Sequence, residues 1–165
     1  MQRLWISVAA LIVDQVSKWL VASRLEPWSS VPVLGDFFRL TFIYNSGAVF
    51  GLRIGSAWVH MILSLIAMAV VVWMLYQTPA EDAMTTLGLT LVLGGAAGNL
   101  FDRLEFVQTT GGAVVDFLDL GIGTYRWYIF NVADACVTIG VGFLLFSHGL
   151  SSRSHADHAS GSEDC

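Results

Sequence analysis

Four apolar segments, running approximately over residues 4–22, 57–76, 84–101 and 127–146, set the terms on which this chain can fold. Each comes close to the roughly 20 helical residues needed to cross a hydrocarbon core. Inside lipid, every backbone N–H and C=O must find its partner within the protein, which leaves helices or a closed barrel. The lengths select helices. With 55% hydrophobic and only 13% charged residues, and a mean hydropathy of +0.66, the chain exceeds the apolar share of a soluble domain. Trp5, Trp19, Trp58, Trp73, Tyr76, Trp127 and Tyr128 mark several segment ends, as aromatic belts do at lipid headgroups. The expectation is a mostly α membrane protein, one domain over 1–148 with four transmembrane helices.

The connections are unequal, about thirty, seven and twenty-five residues long, and four crossings put the two long ones on one face. In the first, Phe38, Leu40, Phe42 and Tyr44 alternate with Arg39, Thr41 and Ile43, the period of a half-buried strand. Asn45-Ser46-Gly47 supplies turn chemistry and residues 48–52 a returning strand, so a small β-sheet cradle is expected between the first two helices. Arg24, Arg39, Arg53, Arg103 and Arg126 lie on the face of the long connections, against Arg3 and Arg153 on the other. The positive-inside rule taken alone places the long connections in the cytoplasm, although several of these arginines flank polar motifs. The N-terminal apolar run with Val21-Ala22-Ser23 has the outline of a signal peptide, but Asp14 and Lys18 interrupt it, so a retained anchor is expected. Residues 149–165 read as a structureless tail in which His155 and His158 lack further ligands at zinc spacing. Cys136 reads as a buried thiol, and Cys165 stands in no lipidation motif. A net charge of -5 without a basic patch points away from nucleic acid.

Asp134 lies in the last apolar run, where a carboxylate costs a few kcal/mol on insertion scales and usually faces a bundle interior or a wet cavity. Counted from Trp127, it falls roughly 10 Å into the fourth span at 1.5 Å per residue, with Asn131 three residues earlier on the same face. Asp116 stands in the second long connection, with Asp119 as its rival. If that connection folds back on the bundle, Asp116 and Asp134 meet at the membrane boundary. Two close carboxylates cannot both ionise easily and titrate as a unit, the logic of an aspartic-protease dyad. Buried Asp, Lys and Arg also mark proton and ion paths, so the residues alone leave a catalytic pair and a proton-coupled or ion-conducting transporter both open. Asp14 and Lys18, four apart, share a helix face, either as a charge-compensated structural pair or as groups orienting a site. Gly94 and Gly98 have the spacing that lets membrane helices approach closely. Asn99 and Arg103 share a face at the end of that helix. Asp102 points elsewhere and is expected to pair locally or face solvent. No Gly-x-Ser-x-Gly, intramembrane Ser/His pair or His-Glu-x-x-His supplies another nucleophile or a metal site.

Five blocks occur in order along the chain: Asp14-Gln15-Val16-Ser17-Lys18, Tyr44-Asn45-Ser46-Gly47-Ala48-Val49-Phe50-Gly51, Gly94 through Asn99 to Arg103, Val114-Val115-Asp116-Phe117, and Phe130-Asn131-Val132-Ala133-Asp134. Together they resemble the bacterial lipoprotein signal peptidase family, also called signal peptidase II. The resemblance implies a four-helix aspartyl endopeptidase of the inner membrane, with both termini cytoplasmic and the site near the periplasmic face, which reverses the orientation from the arginine count. It implies substrates that are diacylglyceryl-modified prolipoproteins, cleaved just before the lipidated cysteine amid membrane lipids. Globomycin-like cyclic peptides are implied as inhibitors, and neither metal nor cofactor is required. Asp116 and Asp134 fall on the family's catalytic aspartates. Asp14, Lys18, Asn45, Gly51, Asn99, Arg103, Asn131 and Ala133 fall on positions that bind substrate or support the site, while Asp119 lies outside the motif.

Overall fold

The computed structural model describes residues 3–46, 57–79 and 81–160, with only the backbone of 57 and of 148–160. In chain order the elements are α1 (Leu4–Arg24), β1 (Ser30–Leu34), β2 (Phe38–Asn45), α2 (Ala57–Gln77), α3 (Ala83–Glu105), β3 (Val114–Ile122), β4 (Tyr125–Arg126) and α4 (Val132–Ser160). The chain is mostly helical. Three helices are long and apolar enough to cross a membrane, Leu4–Arg24, Trp58–Gln77 and Ala83–Glu105, and Val132–Ser147 is a shorter apolar helix.

The polarity of α1 is inverted relative to a soluble helix. Ser7, Ala10, Asp14, Lys18 and Val21 are buried, at the three- and four-residue steps of one helix face, while Trp5, Val8, Ile12, Val13, Val16 and Trp19 are exposed. Such a helix is stable with its apolar side in lipid and its polar side against neighbours.

α3 is the centre of the bundle and packs against α1, α2 and α4. Glycines make this possible. A Cβ on Gly94 would stand 2.7 Å from the Ser7 carbonyl oxygen of α1, and one on Gly98 would stand 2.5 Å from Asp14 Oδ2. On another side of α3, a Cβ on Gly95 would strike the Ala133 carbonyl oxygen, and Gly88 lies against Gly140 of α4. The Gly94/Gly98 spacing therefore serves α1, and Gly88/Gly95 serves α4. Ser7 adds a polar tie by donating to the Thr90 carbonyl at 2.8 Å, which satisfies a buried hydroxyl.

The sheet is antiparallel in the order β1-β2-β3-β4. Phe38 and Arg39 of β2 pair with Leu120 and Asp119 of β3, but Ile43, Tyr44 and Asn45 pair with Asp116, Val115 and Val114, so the register shifts between Leu40 and Ile43. Phe42, Val115, Phe117 and Val21 form a buried apolar cluster that fastens the sheet to α1.

Four expectations are corrected here. The cradle is built from both long connections and not only the first, since β3 and β4 lie between α3 and α4; Val114–Ile122 becomes a strand by pairing with β2. The last helix begins at Val132 rather than 127, because Phe130 is held in a bridge to Leu118. It also runs on through Ser160, where an irregular tail was expected from 149; extending an anchored helix adds a hydrogen bond per residue without a new nucleation cost. Cys136 is half-buried rather than enclosed. The expected strand over 48–52, with Gly51 and Arg53, and the chain end at Cys165 lie outside the described residues.

The glycine contacts carry a direct test. Gly95→Val should push α3 from α4 and lower the thermal midpoint of the detergent-solubilised protein. Gly142→Ala, with nothing within 4 Å of the added methyl, should leave it unchanged or raise it through the better helix propensity of alanine.

Candidate active site

Asp134 occupies the first turn of α4, not a position deep in a span. Asn131 precedes the helix. Its Oδ1 accepts from the Asp134 backbone N–H at 2.8 Å, and its own backbone N–H donates to Asp134 Oδ2 at 3.3 Å. This is the reciprocal geometry of a capping box, with Asn and Asp in the roles usually taken by Ser or Thr and Glu. The positive end of the helix dipole there favours a negative carboxylate.

The same Asn131 reaches Asp116. Its side-chain Nδ2 donates to Asp116 Oδ1 at 2.7 Å and lies within reach of Asn99 Oδ1 at 3.0 Å and the Val115 carbonyl at 3.3 Å. One fully buried asparagine thus bridges the two aspartates that sequence reasoning paired. Asn45, at the end of β2, donates to Asp116 Oδ2 at 2.7 Å. Asn99 donates to Asp134 Oδ1 at 2.8 Å, and Arg103 Nη1 is fixed by the Asn99 carbonyl at 3.1 Å, one turn away on the shared face expected. The guanidinium lies in the field of Asp134, Asp102 and Asp116.

The two carboxylates differ in environment. Asp116 is 1% exposed, whereas Asp134 is half-buried. Burial in the sheet, and then the charge of Asp134, push the Asp116 carboxyl up to about 7, against the opposing pull of the Asn45 and Asn131 hydrogen bonds and of Lys18. Asp119 is taken up elsewhere: Arg126 Nε donates to its Oδ1 at 2.9 Å and Thr41 to its Oδ2 at 2.7 Å, an ion pair at the sheet that leaves it outside the cluster.

Beneath the aspartates lies a second layer that sequence reasoning saw only in part. Lys18, 3% exposed, is bound to Asp14 Oδ2 at 2.7 Å, Asp102 Oδ2 at 2.9 Å and Asn99 Oδ1 at 3.2 Å, which uses all three ammonium protons. Asp102 does not face solvent as expected. It is 2% exposed, and besides Lys18 it takes Gln15 Nε2 at 2.8 Å and the Val115 N–H at 3.0 Å. Asp14 accepts from the Ala133 N–H at 2.8 Å, and this backbone amide is Ala133's own contribution to the site. Among the described residues no group of His, Cys, Asp and Glu is arranged to hold a metal ion.

Apolar helices enclosing a pair of asparagine-bridged carboxylates define a multi-pass membrane protein equipped for acid–base chemistry. The chain belongs to the signal peptidase II family and is a peptidase: residues 6–149 match the family described as Signal peptidase (SPase) II. It is 40% identical over 143 residues to the lipoprotein signal peptidase of Symbiobacterium thermophilum, covering 87% of this chain and 90% of that protein. Against the lipoprotein signal peptidase of Syntrophus aciditrophicus it is 41% identical over 140 residues, covering 82% and 84%. A solved bacterial membrane enzyme, determined by the in meso method at 2.3 Å resolution, superposes with a TM-score of 0.80 at 30% identity, over 90% of this chain and 87% of that one. A second, at 1.9 Å, gives 0.76 at 31% identity over 87% and 89%.

Asn131 offers a way to separate cap from bridge. Asn131→Ala should lower stability by about 1 kcal/mol for the lost cap and also abolish peptidase activity. Asn131→Ser keeps a cap acceptor but is too short to reach Asp116, so thermal stability should recover while activity does not.

Proposed function

We propose that this peptidase removes the signal peptide from diacylglyceryl-modified prolipoproteins, cleaving before the lipidated cysteine, with Asp116 and Asp134 as its catalytic residues. The observation that carries the assignment is Asn131, which binds both carboxylates and holds them in one unit. Asp116 is the buried member whose proton is retained toward neutrality. Asp134 is the accessible member, at a helix N-terminus that favours its charge.

In the reaction, Asp134 takes a proton from a water as the water's oxygen bonds to the scissile carbonyl carbon, and Asp116 gives its proton to the carbonyl oxygen. Collapse of the tetrahedral intermediate breaks the C–N bond, the proton taken by Asp134 passes to the leaving nitrogen, and the hydroxyl proton returns to Asp116. No covalent enzyme intermediate forms. Asn45 and Arg103 position the substrate backbone, while Asn99 and Asn131 keep the carboxylates oriented.

The same reading has the chain cross the inner membrane four times, α4 with its irregular lead-in making the fourth crossing. Both termini are then cytoplasmic and the sheet periplasmic. The substrate's acyl chains lie along the bundle among membrane lipids, and a globomycin-like cyclic peptide competes for the cleft. Family membership favours proteolysis over transport as the use of these carboxylates.

Purified protein in detergent, given a diacylglyceryl-modified prolipoprotein, should cleave it. Asp116→Asn and Asp134→Asn should each bring product below detection. Full activity in either variant would remove that residue from the mechanism, and equal processing of the unlipidated precursor would contradict the substrate. The pH dependence follows from the sign of the Asp116 shift. Because its folded value is raised to about 7 from 3.8, the protonated form needed as acid persists through weak acid and is lost above that value. Cleavage should therefore decline as pH rises through about 7, and a rate that stays flat between about pH 6 and about pH 9 would contradict the assigned acid.

A further inference from the structure

Each of the two aspartates is preceded in the chain by a residue whose backbone amide is bound by a different buried carboxylate. Val115, before Asp116, donates to Asp102 Oδ2 at 3.0 Å. Ala133, before Asp134, donates to Asp14 Oδ1 at 2.8 Å. Asp102 belongs to α3 and Asp14 to α1, yet both are ion-paired to the one ammonium of Lys18, at 2.9 and 2.7 Å. Gln15 reinforces the arrangement by donating to Asp102 Oδ1 at 2.8 Å while lying 3.2 Å from Asp14 Oδ2. The strand and the helix N-terminus, already joined through Asn131 and the Phe130–Leu118 bridge, are thus also referenced to a single buried point one residue before each aspartate.

We propose that Asp102 is a positioning residue for the reaction, acting with Asp14 through their shared Lys18 to fix the spacing of Asp116 and Asp134 by clamping the backbone amides of Val115 and Ala133. Asp102 does not touch either carboxylate in the described contacts; its effect passes through the β3 backbone. Structural packing alone does not call for this arrangement, since a buried ion pair is often matched in stability by apolar residues of the same volume. What apolar residues cannot do is accept the Val115 N–H, and displacement of a reacting group by about 1 Å costs roughly 100-fold in rate.

The inference rests on the aspartyl-peptidase reading above, so its test includes a readout that needs no substrate. Asp102→Ala removes both charge and acceptor; Asp102→Asn keeps an acceptor for Val115. In Asp102→Ala, kcat toward the diacylglyceryl-modified prolipoprotein should fall roughly 100-fold, with KM within about threefold of wild type. Hydrogen exchange at the Val115 amide should accelerate, while Ala133, held by Asp14, keeps its protection. Asp102→Asn should recover a large part of both kcat and Val115 protection. An undiminished kcat in Asp102→Ala, or a lost kcat with Val115 still protected as in wild type, overturns the proposal. If Asp102→Ala yields no folded protein, Asp102→Leu, which fills the volume but accepts no hydrogen bond, decides: slower turnover together with faster Val115 exchange supports the clamp, and wild-type values of both overturn it. Accelerated Val115 exchange in a protein whose wild type fails to cleave the lipidated substrate would leave the clamp standing and sink the substrate assignment instead.

Discussion

The burial of the Lys18 ammonium between α1 and α3 is the interaction on which the rest of the polar interior depends. A lone buried charge is expensive, and a pair is tolerated only when its remaining protons and lone pairs are satisfied. Lys18 meets that condition with Asp14, Asp102 and Asn99. The acceptors left over on those partners then become useful. Asp14 binds an N–H at the start of α4, Asp102 an N–H of β3, and Asn99 passes a donor to Asp134. A single cation thereby organises residues drawn from α1, α3, β3 and α4 without touching Asp116 or Asp134.

This network exists because the helices come close enough to form it. Gly98 lets the Asp14 carboxylate approach α3, and Gly95 lets the α4 backbone do the same, so small residues and polar groups act together, as they do in helix packing within lipid. The two bridged carboxylates sit in two different local environments. Asp116 is enclosed in a strand next to a negative partner, which holds its proton. Asp134 sits at a helix N-terminus in a capping box, where charge is favoured. Burial and backbone geometry thus give two residues of one type different surroundings.

The helices were legible in the sequence because length and hydropathy suffice for a membrane segment; 4–22 and 84–101 differ from α1 and α3 by a few terminal residues. The strand over 38–45 was legible from its alternation. Val114–Ile122 was not, since its apolar run is interrupted by Asp116 and Asp119 and becomes a strand only through pairing with β2. The start of α4 was misplaced because aromatic residues at 127 and 128 resemble a belt, although Asn131 and Asp134 carry a capping-box spacing that marks Val132 as the first helical residue. Asp116, Asp134, Asn99 and Asn131 were selected by their polarity in apolar surroundings and by the family motifs. Asp102 escaped because Asn99 was matched only with Arg103 at i+4, although Asp102 at i+3 also neighbours Asn99 on the helix surface; its partners, Lys18 of α1 and the Val115 N–H of β3, are distant in sequence. A buried lysine with three donors and one evident carboxylate was the available signal that a second acceptor had to be found.

The claim that Asp116 and Asp134 form one electrostatic unit is tested most directly by following the carboxyl absorption of Asp116 by infrared titration in wild type and in Asp134→Asn. Wild-type Asp116 should titrate near about 7, as its burial beside a charged partner requires. Neutralising position 134 removes the repulsive charge and should move that titration to lower pH. An Asp116 titration that is the same in both proteins would mean that the two carboxylates do not sense each other, and would contradict the account.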